Sequence, residues 1–182
     1  SRLTGAKVLT ETEVTAVDTA AKTVTAVHNE ESRNYSYDKL VIASGASPFR
    51  PDIEGLDLEN VFFMRTPDDA IALREAVEAG GIKRAVVAGG GFIGLEVAEN
   101  LAEKGVRVNV IDFAPHVLPN FLDPEMSEYV ENRMSEAGVN PMTGVALEAI
   151  LGDGKVEKVQ TSKRAVKADA VVIAIGIRPN TA

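Results

Sequence analysis

Gly89, Gly91, Gly94 and Asp112 are the residues whose types and spacing point most directly to chemistry, and that chemistry is the grip of a dinucleotide. Ala85-Val86-Val87-Ala88-Gly89-Gly90-Gly91-Phe92-Ile93-Gly94 reads as a strand that runs into a GxGxxG turn and then into a helical pattern. Each glycine has a physical role: Gly89 permits the tight turn, Gly91 lets the backbone approach a pyrophosphate with no Cβ in the way, and Gly94 allows the helix to sit close to the strand. Phe92 and Ile93 lie in the first turn of that helix, whose free amides and dipole face two negative phosphates. Asp112 stands 23 residues after Gly89, at the end of the next strand. A carboxylate there accepts hydrogen bonds from ribose hydroxyls and repels a 2′-phosphate, and neither Phe113 nor Ala114 offers that phosphate a cation. The pattern therefore predicts NAD(H) binding, with NADH favoured over NADPH. The competing readings are a glycine turn selected only for close packing and an S-adenosylmethionine site.

Other chemistries are poorly supplied. Cysteine is absent, which excludes disulfides, thiolate metal sites, iron-sulfur clusters and a thiol nucleophile within this chain. His28 and His116 are too far apart to form a helical metal-binding pair, so no metal site and no catalytic side chain is expected. With 27 acidic against 19 basic residues, the net charge of -8 provides no general attraction for nucleic acid or an anionic membrane surface. The longest apolar run, Val171 to Ile177, is far shorter than the ~20 residues of a membrane helix. The first residues carry neither an initiator methionine nor the apolar segment of a signal peptide, and a cytoplasmic location is expected.

The elements that must position the glycine turn form a βαβ unit: a strand over 83–88, a helix over 92–104 closed by Gly105, and a strand over 106–111. Thr66-Pro67-Asp68-Asp69 carries an N-cap hydroxyl, a proline at the first helical position and first-turn acids, so a helix is predicted from there to Gly80-Gly81. Asp123-Pro124-Glu125 opens another, with Met126, Val130, Met134 and Ala137 along one stripe and Gly138 after it. Strands are predicted near 7–18 and 22–28, with Asn29 to Asn34 as a polar connection. Tyr37 to Gly45 has the profile of a strand buried on both faces. Pro48, Pro51 and Gly55 suggest an interdomain linker up to Leu58, and the valines from 139 to 166 suggest short strands with a hairpin turn at Gly152-Asp153-Gly154.

An internal echo organises these pieces. Asp38-Lys39-Leu40-Val41-Ile42-Ala43-Ser44-Gly45-Ala46-Ser47-Pro48 and Asp169-Ala170-Val171-Val172-Ile173-Ala174-Ile175-Gly176-Ile177-Arg178-Pro179 place Asp, Ala, Gly and Pro at the same spacings. Each follows a strand-rich stretch, which implies two related units and a chain that is the interior of a longer protein. Coincidence between two buried strands is the alternative.

At this point the sequence resembles the FAD-dependent pyridine nucleotide-disulfide oxidoreductases, most of all the branch with coenzyme A-disulfide reductase, NADH peroxidase and NADH oxidase. The stretches that carry the resemblance are YDKLVIASGASP at 37–48, VVAGGGFIGLEVAENLAEKGVRVNVID at 86–112, LDPEM at 122–126 and ADAVVIAIGIRPN at 168–180. The resemblance implies an α/β fold: a Rossmann-like βαβ nucleotide-binding domain with a strand-rich insertion, plus a β-rich partial second nucleotide-binding unit. Residues 1–50 would be part of an FAD domain, 51–82 a linker and helix, and 83–182 the NAD(H) domain. It implies that Ala43-Ser44-Gly45 lies by FAD, that Phe92 takes the place of a residue covering the flavin, that Glu96 approaches the nicotinamide end, and that Ile175-Gly176 bring backbone near the nicotinamide ribose. Simple packing for Phe92 and a solvated first-turn acid for Glu96 are the alternatives. The whole protein would pass hydride from NADH to FAD and on to a disulfide, peroxide or oxygen, and would dimerise through a domain absent here. This chain alone would not turn over, and a non-catalytic nicotinamide-nucleotide sensor is the second hypothesis.

Overall fold

A computed structural model describes residues 5–181. Two compact units divide between Ser44 and Gly45.

The first unit is an antiparallel meander of β1 (Glu13–Asp18), β2 (Thr23–His28) and β3 (Glu31–Ser36), paired in sequence order. Asp18 turns the chain by accepting hydrogen bonds from the Ala20 and Ala21 amides at 2.9 and 2.8 Å. Asn29 and Glu30 have φ of 48° and 66°, the left-handed pair that a two-residue hairpin needs. Residues 31–34, expected as part of a polar connection over 29–34, are therefore in a strand. The β3 side chains are almost all exposed, so no apolar alternation marked the strand; backbone pairing with β2 holds it, with the Thr25 hydroxyl donating to Asn34 Oδ1 at 2.9 Å. Residues 7–12, expected to extend β1, are not strand. The expected buried strand over 37–45 is also corrected: Leu40, Val41 and Ile42 are exposed, Val41 at 85%. An apolar strand is buried only when strands pair with it and layers cover it. In this unit the meander buries a single apolar residue, Ala26, and none of its three strands pairs with 40–45.

The second unit contains, in order, β4 (Ala46–Pro48), β5 (Val61–Phe63), α1 (Pro67–Glu78), β6 (Arg84–Ala88), α2 (Phe92–Glu103), β7 (Arg107–Asp112), α3 (Pro124–Glu136), β8 (Val139–Thr143), β9 (Leu147–Leu151), β10 (Lys158–Thr161), β11 (Ala165–Lys167), β12 (Ala170–Ile173) and β13 (Ile177–Pro179). A parallel sheet in the order β5-β12-β6-β7-β8 forms its middle layer. Period-two alternation sends Ala85 and Val87 to one face, where they meet Val97, Ala98 and Leu101 of α2 and Leu73 and Val77 of α1. Val86 and Ala88 point to the other face and pack with Ile150, Val159 and Val166 of the antiparallel sheet β9-β10-β11. The α/β Rossmann-like fold with a strand-rich insertion is therefore present. The insertion is a three-stranded antiparallel sheet in sequence order, the same topology as β1-β2-β3. No helix among the described residues is long and apolar enough to cross a membrane.

The presumed linker belongs to this unit. Ile53, Leu56 and Leu58 pack on its second core cluster, and Glu54 accepts a hydrogen bond from the Ile150 amide at 2.9 Å. A Cβ on Gly55 would lie 1.9 Å from the Ile150 carbonyl oxygen, so this glycine serves close approach and not flexibility. The helix after it forms as its sequence predicts, with Thr66 and Asp69 making a capping box. On α3 the expected stripe is rotated: Met126 and Ala137 are exposed, Val130 and Met134 half-buried, and the one fully buried residue is Ser127. The hairpin turn at 152–154 is part of a longer connection, since Leu151 pairs with Lys158.

The ends of the two echoed segments pair with each other. β4 and β13 are antiparallel, with Arg178 opposite Ser47, the Phe49 amide donating to the Gly176 carbonyl and the Asn180 amide to the Gly45 carbonyl, both at 3.0 Å. Gly45 and Gly176 hold equivalent echo positions, as do Phe49 and Asn180, so the exchange is two-fold symmetric.

Asp169 ties together the amino ends of β12 and β6, at the opposite end of the strands. Its carboxylate accepts from the Lys83 and Arg84 amides at 3.1 and 2.9 Å and from the Arg84 guanidinium at 2.6 and 3.3 Å. The hydrogen bond from Arg84, with help from these amides, holds its pKa below the ordinary carboxylate value. Its stabilising contribution is complete above the unfolded value of about 3.9 and is lost as pH falls through the lower folded value. We expect Asp169→Asn to lower the free energy of unfolding by about 1–2 kcal/mol at pH 7, with the gap to the wild type closing below about pH 4, as read from urea midpoints across pH.

Candidate functional site

The site lies at the carboxyl ends of β6, β7 and β12, where the strand order reverses direction about β6. That is the topological switch point at which open parallel sheets take ligands. A cavity of about 630 Å³ opens there, lined by Gly89, Gly91, Phe92, Ile93, Asp112, Ile175 and Gly176 among others. Seven of the residues predicted from sequence are thus brought together.

The three motif glycines are glycines for different reasons. Gly89 has φ of 113°, and a Cβ on it would meet the Ala174 carbonyl oxygen at 2.3 Å. Gly94 is buried beneath the cavity, where a Cβ would lie 1.9 Å from the Gly89 carbonyl oxygen. Both positions leave no room for a Cβ without a shift of the neighbouring backbone. Gly91 differs: its φ of −84° suits any residue, and a Cβ on it would meet no atom within 4 Å. Among the described residues nothing requires its small size, and the space over it is open.

Gly91 is the N-cap of α2 and has no side chain to cap it. Among the described residues, no protein group accepts the amides of Gly91, Phe92, Ile93 or Gly94. Four donors and the positive end of the helix dipole therefore meet at the cavity floor. Gly90, between the first two glycines, is fixed on both sides. Its amide donates to Asp112 Oδ2 at 2.5 Å and its carbonyl accepts from the Leu118 amide at 3.0 Å. Asp112 Oδ1 accepts from the Ala114 amide at 2.7 Å. The acid read from sequence as a ribose partner thus also ties the glycine loop to the end of β7, with lone pairs left on both oxygens.

Phe92 lies against Phe121, ring centroids 4.7 Å apart, and is 59% exposed. Glu96 does not line the same cavity. One turn further along α2, it borders an apolar groove between α1 and α2, which Phe92 and Ile93 also edge. Ala43 and Ser44 are exposed members of the first unit, and Gly45 opens the second. His28 and His116 each bond a backbone carbonyl oxygen, of Glu11 at 2.9 Å and of Val117 at 3.3 Å. Sequence reasoning missed Gly90, Val117 and Leu118, which anchor the loop. The φ of 51° at Leu118, preceding a proline, had no local sequence signal.

Comparison with known proteins places the chain in a family. The family model described as pyridine nucleotide-disulphide oxidoreductase matches residues 1–182. An NADH oxidase of Methanocaldococcus jannaschii is 43% identical over 176 residues, which cover 95% of this chain and 39% of that protein. A NAD-dependent persulfide reductase from A. fulgidus superposes with a TM-score of 0.88 at 40% identity, covering 98% of this chain and 33% of the other. A water-forming NADH oxidase from Lactobacillus brevis, solved with NADH bound, has a TM-score of 0.81 at 34% identity over 93% of this chain and 38% of that one. The chain thus spans about two fifths of the length of the curated relatives it matches. With the family model matching along the whole sequence, the glycine turn, the switch-point cavity and the antiparallel insertion have one origin: the chain belongs to the pyridine nucleotide-disulphide oxidoreductase family.

Proposed function

We propose that residues 45–182 bind NADH across the switch-point cavity and that the whole protein is an NADH-dependent flavoprotein oxidoreductase. The observation that carries this reading is the set of unpartnered amides at Gly91 to Gly94, beside an open space that a side chain at position 91 would fill. That cradle fits a pyrophosphate. Asp112 receives the adenosine ribose, and Ile175 and Gly176 border the nicotinamide half. Ala43, Ser44 and Gly45 stand by FAD in the whole protein, a reading supported by the shared topology of β1-β2-β3 and β9-β10-β11. When bound, NADH supplies a hydride that a flavin passes on to a disulfide, peroxide or oxygen; the residues of this chain bind, orient and exclude water. The chain alone does not turn over.

Preference for NADH has separate support. A variant of the Lactobacillus oxidase, engineered as an NADPH oxidase and bound to NADPH, carries Gly→Ala, Asp→Ala, Ala→Arg, Met→Ser and Pro→Arg substitutions. The intervals between its five positions, 18, 1, 1 and 5 residues, are those between Gly94, Asp112, Phe113, Ala114 and Pro119 here.

Titration calorimetry of the chain with NADH tests the reading. Saturable binding at one site, competed by NAD⁺ and weaker for NADPH, is expected; no heat at millimolar NADH overturns it.

A further inference from the structure

We propose that Ser127 and Glu131, on α3, are positioning residues for the dinucleotide loop, a role that rests on the reading of the cavity given above. Neither touches the cavity. Both reach the backbone of Val117: the Ser127 hydroxyl donates to the Val117 carbonyl at 2.8 Å, and the Val117 amide donates to Glu131 Oε1 at 3.0 Å. Spacing of i and i+4 places the two side chains on one helix face, so a single rigid element holds both polar groups of one residue. Ser127 is fully buried on the face where packing alone would be served by an apolar residue.

Two contacts carry this grip into the glycine loop. The Val117 side chain, itself fully buried, lies 3.2 Å from where a Cβ on Gly90 would stand. The next residue, Leu118, is buried with φ of 51° and donates its amide to the Gly90 carbonyl. A leucine keeps a left-handed backbone only where its surroundings over-determine it. Here they do so from both sides, through α3 acting on Val117 and through Gly90 acting on Leu118. Released from α3, Leu118 relaxes toward negative φ and its amide swings off Gly90. The Gly90 peptide is then tethered by Asp112 alone, and the amides of Gly91 to Gly94 lose their fixed aim. Preorganised donors are worth more to a ligand than donors it must first order.

The test uses Glu131→Ala, Ser127→Ala and Glu131→Gln in the 182-residue chain, with amide exchange by NMR and calorimetric NADH titration. Glu131→Ala is expected to weaken NADH about tenfold, the loss of one charge-assisted hydrogen bond. It should also speed exchange at the Gly90 and Leu118 amides, which Glu131 does not touch, while amides of β9 to β11 stay as they were. Glu131→Gln keeps the acceptor oxygen and should restore both. Unchanged Gly90 and Leu118 amides, a uniform rise in exchange across the unit, or failure of Gln to rescue overturns the proposal. Should Glu131→Ala not fold, Ser127→Ala, which deletes one oxygen, carries the same comparison. If the wild type itself takes no NADH, the cavity reading fails, and exchange at Gly90 and Leu118 alone decides whether α3 holds the loop.

Discussion

Gly91→Val is expected to fold as the wild type does and to bind NADH at least about a hundredfold more weakly. Its backbone conformation is open to any residue and its Cβ would touch nothing, so the folded state loses only the preference of an N-cap for glycine over valine, about 1 kcal/mol. The branched side chain would instead project into the cavity above the α2 amides, where the pyrophosphate lies in the proposed complex. Forced overpacking costs about 1–3 kcal/mol, and each hydrogen bond to a charged group that is lost adds about 1.5–3 kcal/mol. The neighbouring glycine positions make the contrast. Gly94→Val must push a side chain into the Gly89 carbonyl, and it should lower the thermal midpoint as well as binding. Measured side by side, unfolding curves and NADH titrations separate the two: a Gly91→Val chain that binds NADH normally would show that the phosphates lie elsewhere.

Cofactor choice should reverse in the double variant Asp112→Ala/Phe113→Arg, with the ratio of NADPH to NADH affinity rising by about two orders of magnitude. Two effects act in the same direction. Removing the carboxylate ends its repulsion of a 2′-phosphate, and an arginine next to it offers a forked donor to that phosphate, each worth about 1–2 kcal/mol at a partly exposed site. Phe113 is 84% exposed, so a long side chain there displaces no core. The absolute affinity for NADPH should still fall short of that of the wild type for NADH. Asp112 also anchors the Gly90 and Ala114 amides, and its loss leaves the glycine loop less firmly held. Asp112→Asn separates the roles, since its one carbonyl oxygen can keep one of the two amides while the charge is gone. Equal NADPH to NADH ratios in wild type and double variant would remove Asp112 from the ribose end of the site.

Sequence and structure agree wherever the determinant is local. Thr66-Pro67-Asp68-Asp69 forms the predicted helix start because an N-cap hydroxyl, a proline and a returning carboxylate act within one turn. The βαβ unit follows from apolar alternation and from Gly94, whose close neighbour is the Gly89 carbonyl five positions back, whereas Gly89 itself is pressed by the distant Ala174 carbonyl. The segment 51–58 and the strand over 37–45 failed for the opposite reason. A proline- and glycine-rich stretch looks like a tether until the Ile150 carbonyl is found against Gly55, almost a hundred positions along the chain. An apolar run looks buried until its unit proves to hold nothing that covers it. On α3 the stripe read from the sequence is rotated, because Ser127 and Glu131 turn inward to partner the Val117 backbone.

What the sequence by itself determined is the glycine turn and its setting: three glycines at intervals of two and three, an acid one strand later, and the strand and helix between them. These depend on backbone conformation and on hydrogen-bond donors that any helix start provides. Only the tertiary structure decided that Asp112 holds Gly90, that Glu96 faces a different groove from the glycines, and that α3 reaches the loop through Val117 and Leu118. Each is a contact between segments that the local rules treat as independent. Hydrophobic pattern says that a face will be covered, and chain folding chooses what covers it; a buried amide says that it will be satisfied, and packing chooses the acceptor.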